Sequence, residues 1–342
     1  MTCSRAVFRC FKSLERLGDR ITGAAGPYFV GLAVILIGIG TICFFDVVLP
    51  GLQWPLISWP LCIIIALNLH MHYFYVCTVP PGFVEDPPRS VPESFLWAKK
   101  PQKKRALTSG VSWSAGDSVK ITKAEASKCR KCGTRPERTH HCRVCNRCVL
   151  KYDHHCPVSL NLLRINQCVG VHNERHFVLF MAYLVLSTFC FSTLGYPYIL
   201  DALGVNYMRE WPHHVPELAY ILTYILSVVL CFAVGIMLSY HLWTISKGET
   251  TVETHDHEHY SKLANSRGED FVNSYDLGSV KIMNLKLFFN IWEGGYSFTT
   301  LLLPLRVPPY TDGRHWARRP GYEHHYGLKI GEEFTDDEDE EE

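Results

Sequence analysis

The chain has 342 residues, 47% of them hydrophobic and 20% charged, and its 34 Lys and Arg nearly balance 33 Asp and Glu. That balance gives no basic surface of the kind nucleic acid demands, and no nucleic-acid motif occurs in the sequence. The composition would suit a globular protein if the apolar residues were spread evenly, but they are clumped.

Residues 1–27 open with MTCSRAVFRCFKSLERL, which puts Val7, Phe11, Leu14 and Leu17 on one helical face and Arg5, Arg9, Lys12 and Arg16 off it. This is the pattern of a basic amphipathic helix lying at a membrane surface. An ordinary helix packed on a soluble domain fits it equally well. Four apolar runs follow, at Tyr28–Leu49, Ser58–Thr78, Phe177–Leu200 and Leu218–Ile245. Each is long enough to cross a hydrocarbon core of roughly 30 Å, which takes about 20 helical residues. The first is too long for a signal peptide and lacks a small-residue cleavage site, so it is expected to remain as a span. Asp46 near its end is expected to face water, and His70 and His72 near the end of the second are expected at the membrane interface.

Lys and Arg number 18 in residues 79–176, ten in 246–342 and five in 1–27, whereas 50–57 and 201–217 contain only Arg209 between them. The positive-inside rule therefore places both termini and the 79–176 loop in the cytosol. Pro80-Pro81-Gly82 closes the second span, and a polar linker carrying KKPQKKR runs from 79 to about 125. Residues 126–176 form a cysteine-rich unit, 28–78 and 177–245 hold the spans, and 246–342 form a C-terminal region. Within it NLKLFFNIW and FTTLLLPL are too short to span and are expected as helices against the membrane face or core. HDHEH at 255–259 lacks cysteines and is not expected to bind metal. The final TDDEDEEE is expected to be disordered.

Seven of the 14 cysteines fall between 129 and 168. In a reducing compartment that density argues for metal or chemistry over disulfides. The run reads C-x2-C from Cys129, then C-x2-C-x2-C through Cys142, Cys145 and Cys148, then Cys156 and Cys168, with histidines at 140, 141, 154 and 155. Repeated C-x2-C pairs with nearby His are a strong zinc signal, since each pair can give two thiolates to one tetrahedral centre. Two such centres need eight ligands. If six cysteines and two histidines bind, one cysteine is spare, and a spare thiol beside Asp153 and His154 has the makings of an activated nucleophile. On spacing alone, Cys156 as ligand and Cys156 as nucleophile stand equally open.

Cys129-x2-Cys132, RPERTHHC at 135–142, CNRC at 145–148, Asp153-His154-His155-Cys156 and Asn173-x3-Phe177 resemble the zinc-binding domain of the DHHC protein S-acyltransferases, or palmitoyltransferases. Four spans with this domain between the second and third are also that family's arrangement. Thr250-Thr251-Val252-Glu253 is similar to its TTxE motif, and Asn284 to Asn290 more weakly to its C-terminal Asn/aromatic motif. Pro80-Pro81-Gly82 stands where Asp-Pro-Gly is usual. The resemblance implies an α-helical integral membrane protein with four transmembrane helices, built around a cytosolic zinc domain. It implies two structural Zn2+ ions, one on Cys129, Cys132, His141 and Cys148, the other on Cys142, Cys145, His155 and Cys168. It leaves Cys156 as the nucleophile, served by His154 and Asp153, with His140 outside both ion sites. The implied donor is palmitoyl-CoA or another fatty acyl-CoA. Its expected partners are substrate proteins with membrane-proximal cysteines and the lipid bilayer, and its expected location is the endoplasmic reticulum or Golgi. Thr250, Thr251, Glu253, Asn284 and Asn290 are expected to brace the domain against the spans.

One departure stands out. The family follows its reactive cysteine with Pro-Trp and places the last zinc cysteine six positions on, whereas here VSLNLLR at 158–164 separates Pro157 from INQC. As a tolerated loop this leaves nucleophile and zinc in place. As a lesion it leaves a membrane-anchored zinc scaffold or adaptor without turnover.

Overall fold

The computed structural model describes residues 28–87, 96–99, 119–156, 167–205, 211–278, 280–291, 295–329 and 332. The amphipathic start, most of the basic linker, the VSLNLLR stretch and the acidic end lie outside these residues.

Four long apolar helices form a bundle: α1 (Tyr28–Gly51), α2 (Pro55–Thr78), α3 (Glu174–Leu194) and α5 (Glu217–Ser246). At about 1.5 Å per residue they are roughly 32–45 Å long, enough to cross a bilayer. Large apolar side chains such as Leu56, Phe232 and Ile236 point outward, as lipid-facing positions do. α3 stops earlier than the apolar run suggests. Tyr220 Oη donates to the Gly195 carbonyl at 3.0 Å, and a Cβ at Gly195 would lie 2.7 Å from that hydroxyl, so only glycine fits. Pro197 then starts the short α4 (Tyr196–Ala202). Asp46 does not simply face water. Its carboxylate accepts from the Val215 amide and from His214, both at 2.9 Å, and so ties α1 to the connection before α5. His72 also departs from expectation. It is fully buried, its Nδ1 is 3.3 Å from Nδ1 of His176, and its ring stacks on Tyr183, while His70 stays exposed.

Between α2 and α3 lies the cysteine-rich unit, three antiparallel ladders: β2 (Ala126–Cys129) with β3 (Gly133–Pro136), β4 (Thr139–Cys142) with β5 (Arg147–Leu150), and β6 (His154–Cys156) with β7 (Gln167–Val169). Its apolar centre is small, chiefly Cys142, Val149 and Cys168. A unit with so little core needs cross-links of another kind. β1 (Lys120–Lys123) pairs with β8 (His315–Arg318), so the C-terminal region closes over the front of the unit.

After α5, α6 (Thr251–Ser266) begins with a complete capping box: the Glu253 amide donates to Thr250 Oγ1, and the Thr250 amide to Glu253 Oε2. Such caps satisfy donors that a helix start otherwise leaves unpaired. Glu253 also accepts both arms of Arg138 at 2.6 Å each. Arg138 in turn donates to the Gly248 carbonyl at 3.0 Å and lies between the rings of Tyr275 and Trp316. α7 (Ile282–Phe288) follows, and Asn284 donates to the Ser246 carbonyl at the end of α5 at 2.7 Å. Asn290, fully buried, donates to the Pro308 carbonyl at 3.0 Å. In FTTLLLPL the helical part is only the single turn α8 (Thr299–Leu302).

Burial alone would raise the Glu253 carboxyl, but Arg138 outweighs it and holds the group down to about 2. A carboxylate depressed from its unfolded value near 4 stabilises the fold above that pH and loses its contribution as pH falls toward 2. Arg138→Ala leaves the Glu253 charge buried without its partner. It is expected to destabilise the chain by about 3–5 kcal/mol, read as a lower Tm in thermal unfolding at neutral pH. Arg138→Lys is expected to recover only part of this, since a lysine cannot supply the two-armed contact.

Candidate functional site

Two clusters of thiols and imidazoles form within the cysteine-rich unit. Cys129 and Cys132 lie at the β2–β3 turn, and His141 and Cys148 face each other across the β4–β5 ladder. Their ligand atoms all lie within 4.8 Å of one another, with His141 Nδ1 3.3 Å from Cys132 Sγ and 3.8 Å from Cys148 Sγ. In the second cluster, His155 Nδ1 is 3.4 Å from the sulfurs of Cys142 and Cys168 and 3.5 Å from that of Cys145. Ligands around a tetrahedral zinc, with bonds of about 2.0–2.3 Å, stand roughly 3.5–3.8 Å apart. Three soft thiolates and one imidazole Nδ1 in each cluster are a donor set that could hold one zinc ion apiece. The clusters interleave, because β4 gives His141 to one and Cys142 to the other. His140 lies outside both and faces Tyr152.

Asp153, His154 and Cys156 sit at the junction of this unit with the helical bundle. His154 Nδ1 is 2.7 Å from Asp153 Oδ2, and His154 Nε2 is buried without a hydrogen bond of its own, the ring nitrogen left for the Cys156 thiol. Burial disfavours the imidazolium, but the Asp153 bond and the adjacent Cys156 overcome it and raise His154 to about 9. Asp153 is buried too, which pushes its carboxyl up. His154, His241 and the Thr251 amide more than reverse this and hold it below the usual carboxylate range.

The surroundings of Asp153 join Thr251, which the sequence marked only as a brace, with His241, which it did not single out. The Thr251 amide donates to its Oδ1 at 2.7 Å, and the Thr251 hydroxyl donates to its backbone carbonyl at 2.9 Å. Thr251 is the first residue of α6, so the carboxylate also meets the positive end of that helix dipole. His241, buried near the end of α5, brings its Nδ1 to 3.7 Å from Asp153 Oδ2, and its ring packs 5.8 Å from that of His154. A histidine inside an otherwise apolar span is a functional signal by itself. Asp153, His154 and His241 are near enough to share a metal, but the close His154 contact and the Thr251 amide already use both carboxylate oxygens. Phe177 holds the other side of His154, ring edge to face at 5.0 Å. Asn173 sets where Phe177 begins, donating to the Cys168 carbonyl at 3.0 Å and accepting from the Gly170 amide at 2.9 Å.

Cys156 packs against a buried cluster at the end of the bundle that includes Val76, Phe177 and Met181, and Leu238 and Leu242 pack on the same cluster. Opposite Cys156 in the β6–β7 ladder is Gln167, whose amide donates to the carbonyls of Val76, at 3.1 Å, and Val79. The connection containing VSLNLLR therefore leaves from Cys156 and returns to its ladder partner. Cys168 is one residue further and remains in the second cluster. Deeper in the bundle is a cavity of about 240 Å³ with almost wholly apolar walls, among them Leu61, Leu184 and Leu226. Phe44, Leu52 and Phe191 stand at its far end.

Residues 122–258 match the family model for the DHHC palmitoyltransferase. About two fifths of the chain is therefore a DHHC palmitoyltransferase domain. Palmitoyltransferase ZDHHC16 of Mus musculus is 27% identical over 335 residues, covering 92% of this chain and 80% of the relative. Palmitoyltransferase ZDHHC16A of Danio rerio is 27% identical over 238 residues, 57% of this chain and 59% of the relative. Probable protein S-acyltransferase 15 of Arabidopsis thaliana is 35% identical over 159 residues, 46% of this chain and 58% of the relative. The chain thus spans under two thirds of some DHHC relatives and about four fifths of others. The match begins inside β1 and ends inside α6, so it contains both metal clusters, the Asp153 junction and the start of α6.

For this DHHC domain, purified protein is expected to hold two zinc equivalents per chain, measured by plasma mass spectrometry. Cys168→Ala and Cys148→Ala are each expected to remove at least one equivalent. Because the clusters share β4, either substitution is also expected to raise protease sensitivity across residues 126–170. Full zinc retention in both variants contradicts the ligand grouping.

Proposed function

We propose that this chain is a protein S-acyltransferase that carries a fatty acyl group on Cys156. The observation that carries the reading is the joint position of the thiol, beside a His154 held by Asp153 and at the apolar end of the helical bundle. His154 with its raised proton affinity favours a Cys156 thiolate, and the thiolate is the nucleophile. Sulfur attacks the acyl-CoA thioester carbonyl. The bond from that carbonyl to the CoA sulfur then breaks, CoA leaves as the thiol with a proton from His154, and the acyl group stays as a thioester on Cys156. In the second half the thiol of a substrate-protein cysteine gives its proton to His154 and attacks this thioester, releasing Cys156. Asp153 keeps Nδ1 of His154 in the donor role, so that Nε2 does the exchanging. Zinc, when bound, would supply cross-links that set the positions of His155 and hence of its neighbours in sequence.

The acyl chain is assigned to the apolar interior of the bundle beyond Cys156 and to its cavity, where each buried methylene contributes about 0.8 kcal/mol. Lys and Arg of residues 79–176 are the candidates for the CoA phosphates. The positive-inside count supports both termini and the cysteine-rich unit on the cytosolic side, and the family resemblance implies the endoplasmic reticulum or Golgi as the membrane. Against the scaffold reading stands the ladder closure of the 157–166 connection, which leaves Cys156 and Cys168 where the chemistry and the metal need them.

Incubation with labelled palmitoyl-CoA is expected to give a hydroxylamine-sensitive label that Cys156→Ser abolishes. His154→Ala and Asp153→Asn are expected to slow labelling by about 10²–10⁴-fold with zinc content unchanged. His241→Ala is expected to slow it less, since its contact with Asp153 is longer. A wild-type chain with two zinc ions and no label would overturn the enzyme reading in favour of the scaffold.

A further inference from the structure

Residues 296–305, YSFTTLLLPL, carry no charge and are too short to cross a membrane. They are nevertheless held against the middle of two spans. The Leu302 carbonyl accepts from Asn68 Nδ2 at 2.9 Å, and the Leu301 carbonyl accepts from Tyr183 Oη at 2.7 Å. Asn68 is ten residues from the end of α2 nearest the cysteine-rich unit, about 15 Å along a helix about 36 Å long. Tyr183 is nine residues from the corresponding end of α3, about 14 Å along a helix about 32 Å long. Two independent helices therefore put Leu301 and Leu302 close to mid-span.

The chain goes down and comes back on the same side. The Thr300 carbonyl accepts from Arg175 at 3.1 Å, near the start of α3, and the Pro304 carbonyl accepts from Tyr75 at 3.0 Å, near the end of α2. By Arg306 the chain pairs in both directions with 96–98, on the side of the cysteine-rich unit. The backbone amides are also used: Thr300 bonds Ser297, Leu301 bonds Phe298, Leu303 bonds Thr299, and Pro304 has none to satisfy. Irregular backbone survives at membrane depth only when its polar groups are paired within the protein. Here four side chains, Asn68, Tyr75, Arg175 and Tyr183, supply that pairing to four successive or nearly successive carbonyls. On the outer face Phe298, Leu302 and Leu303 are 62%, 52% and 42% exposed.

We infer that residues 297–305 form a re-entrant membrane element, entering the leaflet beside the cysteine-rich unit, turning near mid-bilayer and returning, with lipid acyl chains on its outer face. The inference requires the membrane placement of α2 and α3 and is independent of the acyl-transfer reading. The depth chooses the occupant: at the level of Asn68 and Tyr183 the surface outside the bundle is hydrocarbon, Leu302 and Leu303 are exposed there, and the exposed polar pair of the element, Thr299 and Ser297, bond each other through their hydroxyls at 3.0 Å.

The test uses the full chain in phosphatidylcholine nanodiscs, with a benzophenone amino acid replacing Leu302, Leu303 or, as the control, Tyr326, which is 57% exposed in the C-terminal region. After irradiation, mass spectrometry counts phospholipid adducts. Adducts at Leu302 and Leu303 are expected in roughly tenfold or greater excess over Tyr326, because hydrocarbon surrounds the first two positions and water the third. Yields at Leu302 and Leu303 no greater than at Tyr326 would overturn the inference.

Discussion

A buried carboxylate must be compensated wherever it sits, and Asp153 takes its compensation from three separate parts of the chain. His154 comes from its own strand, His241 from α5, and the Thr251 amide from the first turn of α6. The cysteine-rich unit is thus docked on the bundle through the same group that orients His154. Arg138 repeats the arrangement within the same first turn, reaching from the cysteine-rich unit to Glu253, which itself completes the cap of α6. The Thr-Thr-Val-Glu stretch therefore acts at both ends, Glu253 holding the unit and Thr251 touching the carboxylate directly. Bracing and positioning are one device here.

Much of this was legible from local pattern. The spans announce themselves because apolar residues are clumped, and the ligand-bearing stretch because thiols recur at C-x2-C spacing. What spacing could not do was divide eleven donors between two centres. That grouping came from the family resemblance, and the structure brings the same eight side chains together. His241 was missed because one histidine in an apolar run has no pattern, only a location. Arg138 and Glu253 are 115 residues apart, and no local rule joins them. His72 was misplaced for the converse reason. Its position near a helix end suggested an interface, while its burial depends on His176 and Tyr183 on the facing helix.

The VSLNLLR stretch changes meaning once Cys156 and Gln167 are seen as ladder partners. The residues that flank this stretch are fixed by their ladder, and lengthening a connection between fixed ends costs in general only about 0.6 kcal/mol per doubling. Gln167 adds a second anchor through the carbonyls that end α2. Cys156 thus keeps its place in the ladder and Cys168 its place in the second cluster, although the family tryptophan does not follow Pro157.

Cys156 packs on the buried cluster of Val76, Phe177 and Met181 at the end of the bundle, a position that meets the edge of the hydrocarbon when the four helices span a bilayer. For the proposed transfer this turns a three-dimensional search into a two-dimensional one. An acyl donor inserted by its tail and a protein resting on the same surface share a layer a few tens of ångströms thick, which raises their effective concentration without any new contact. Under that proposal, a protein cysteine held far above this layer would meet no acylated Cys156, and selection among substrates would begin with the height of the cysteine above the membrane.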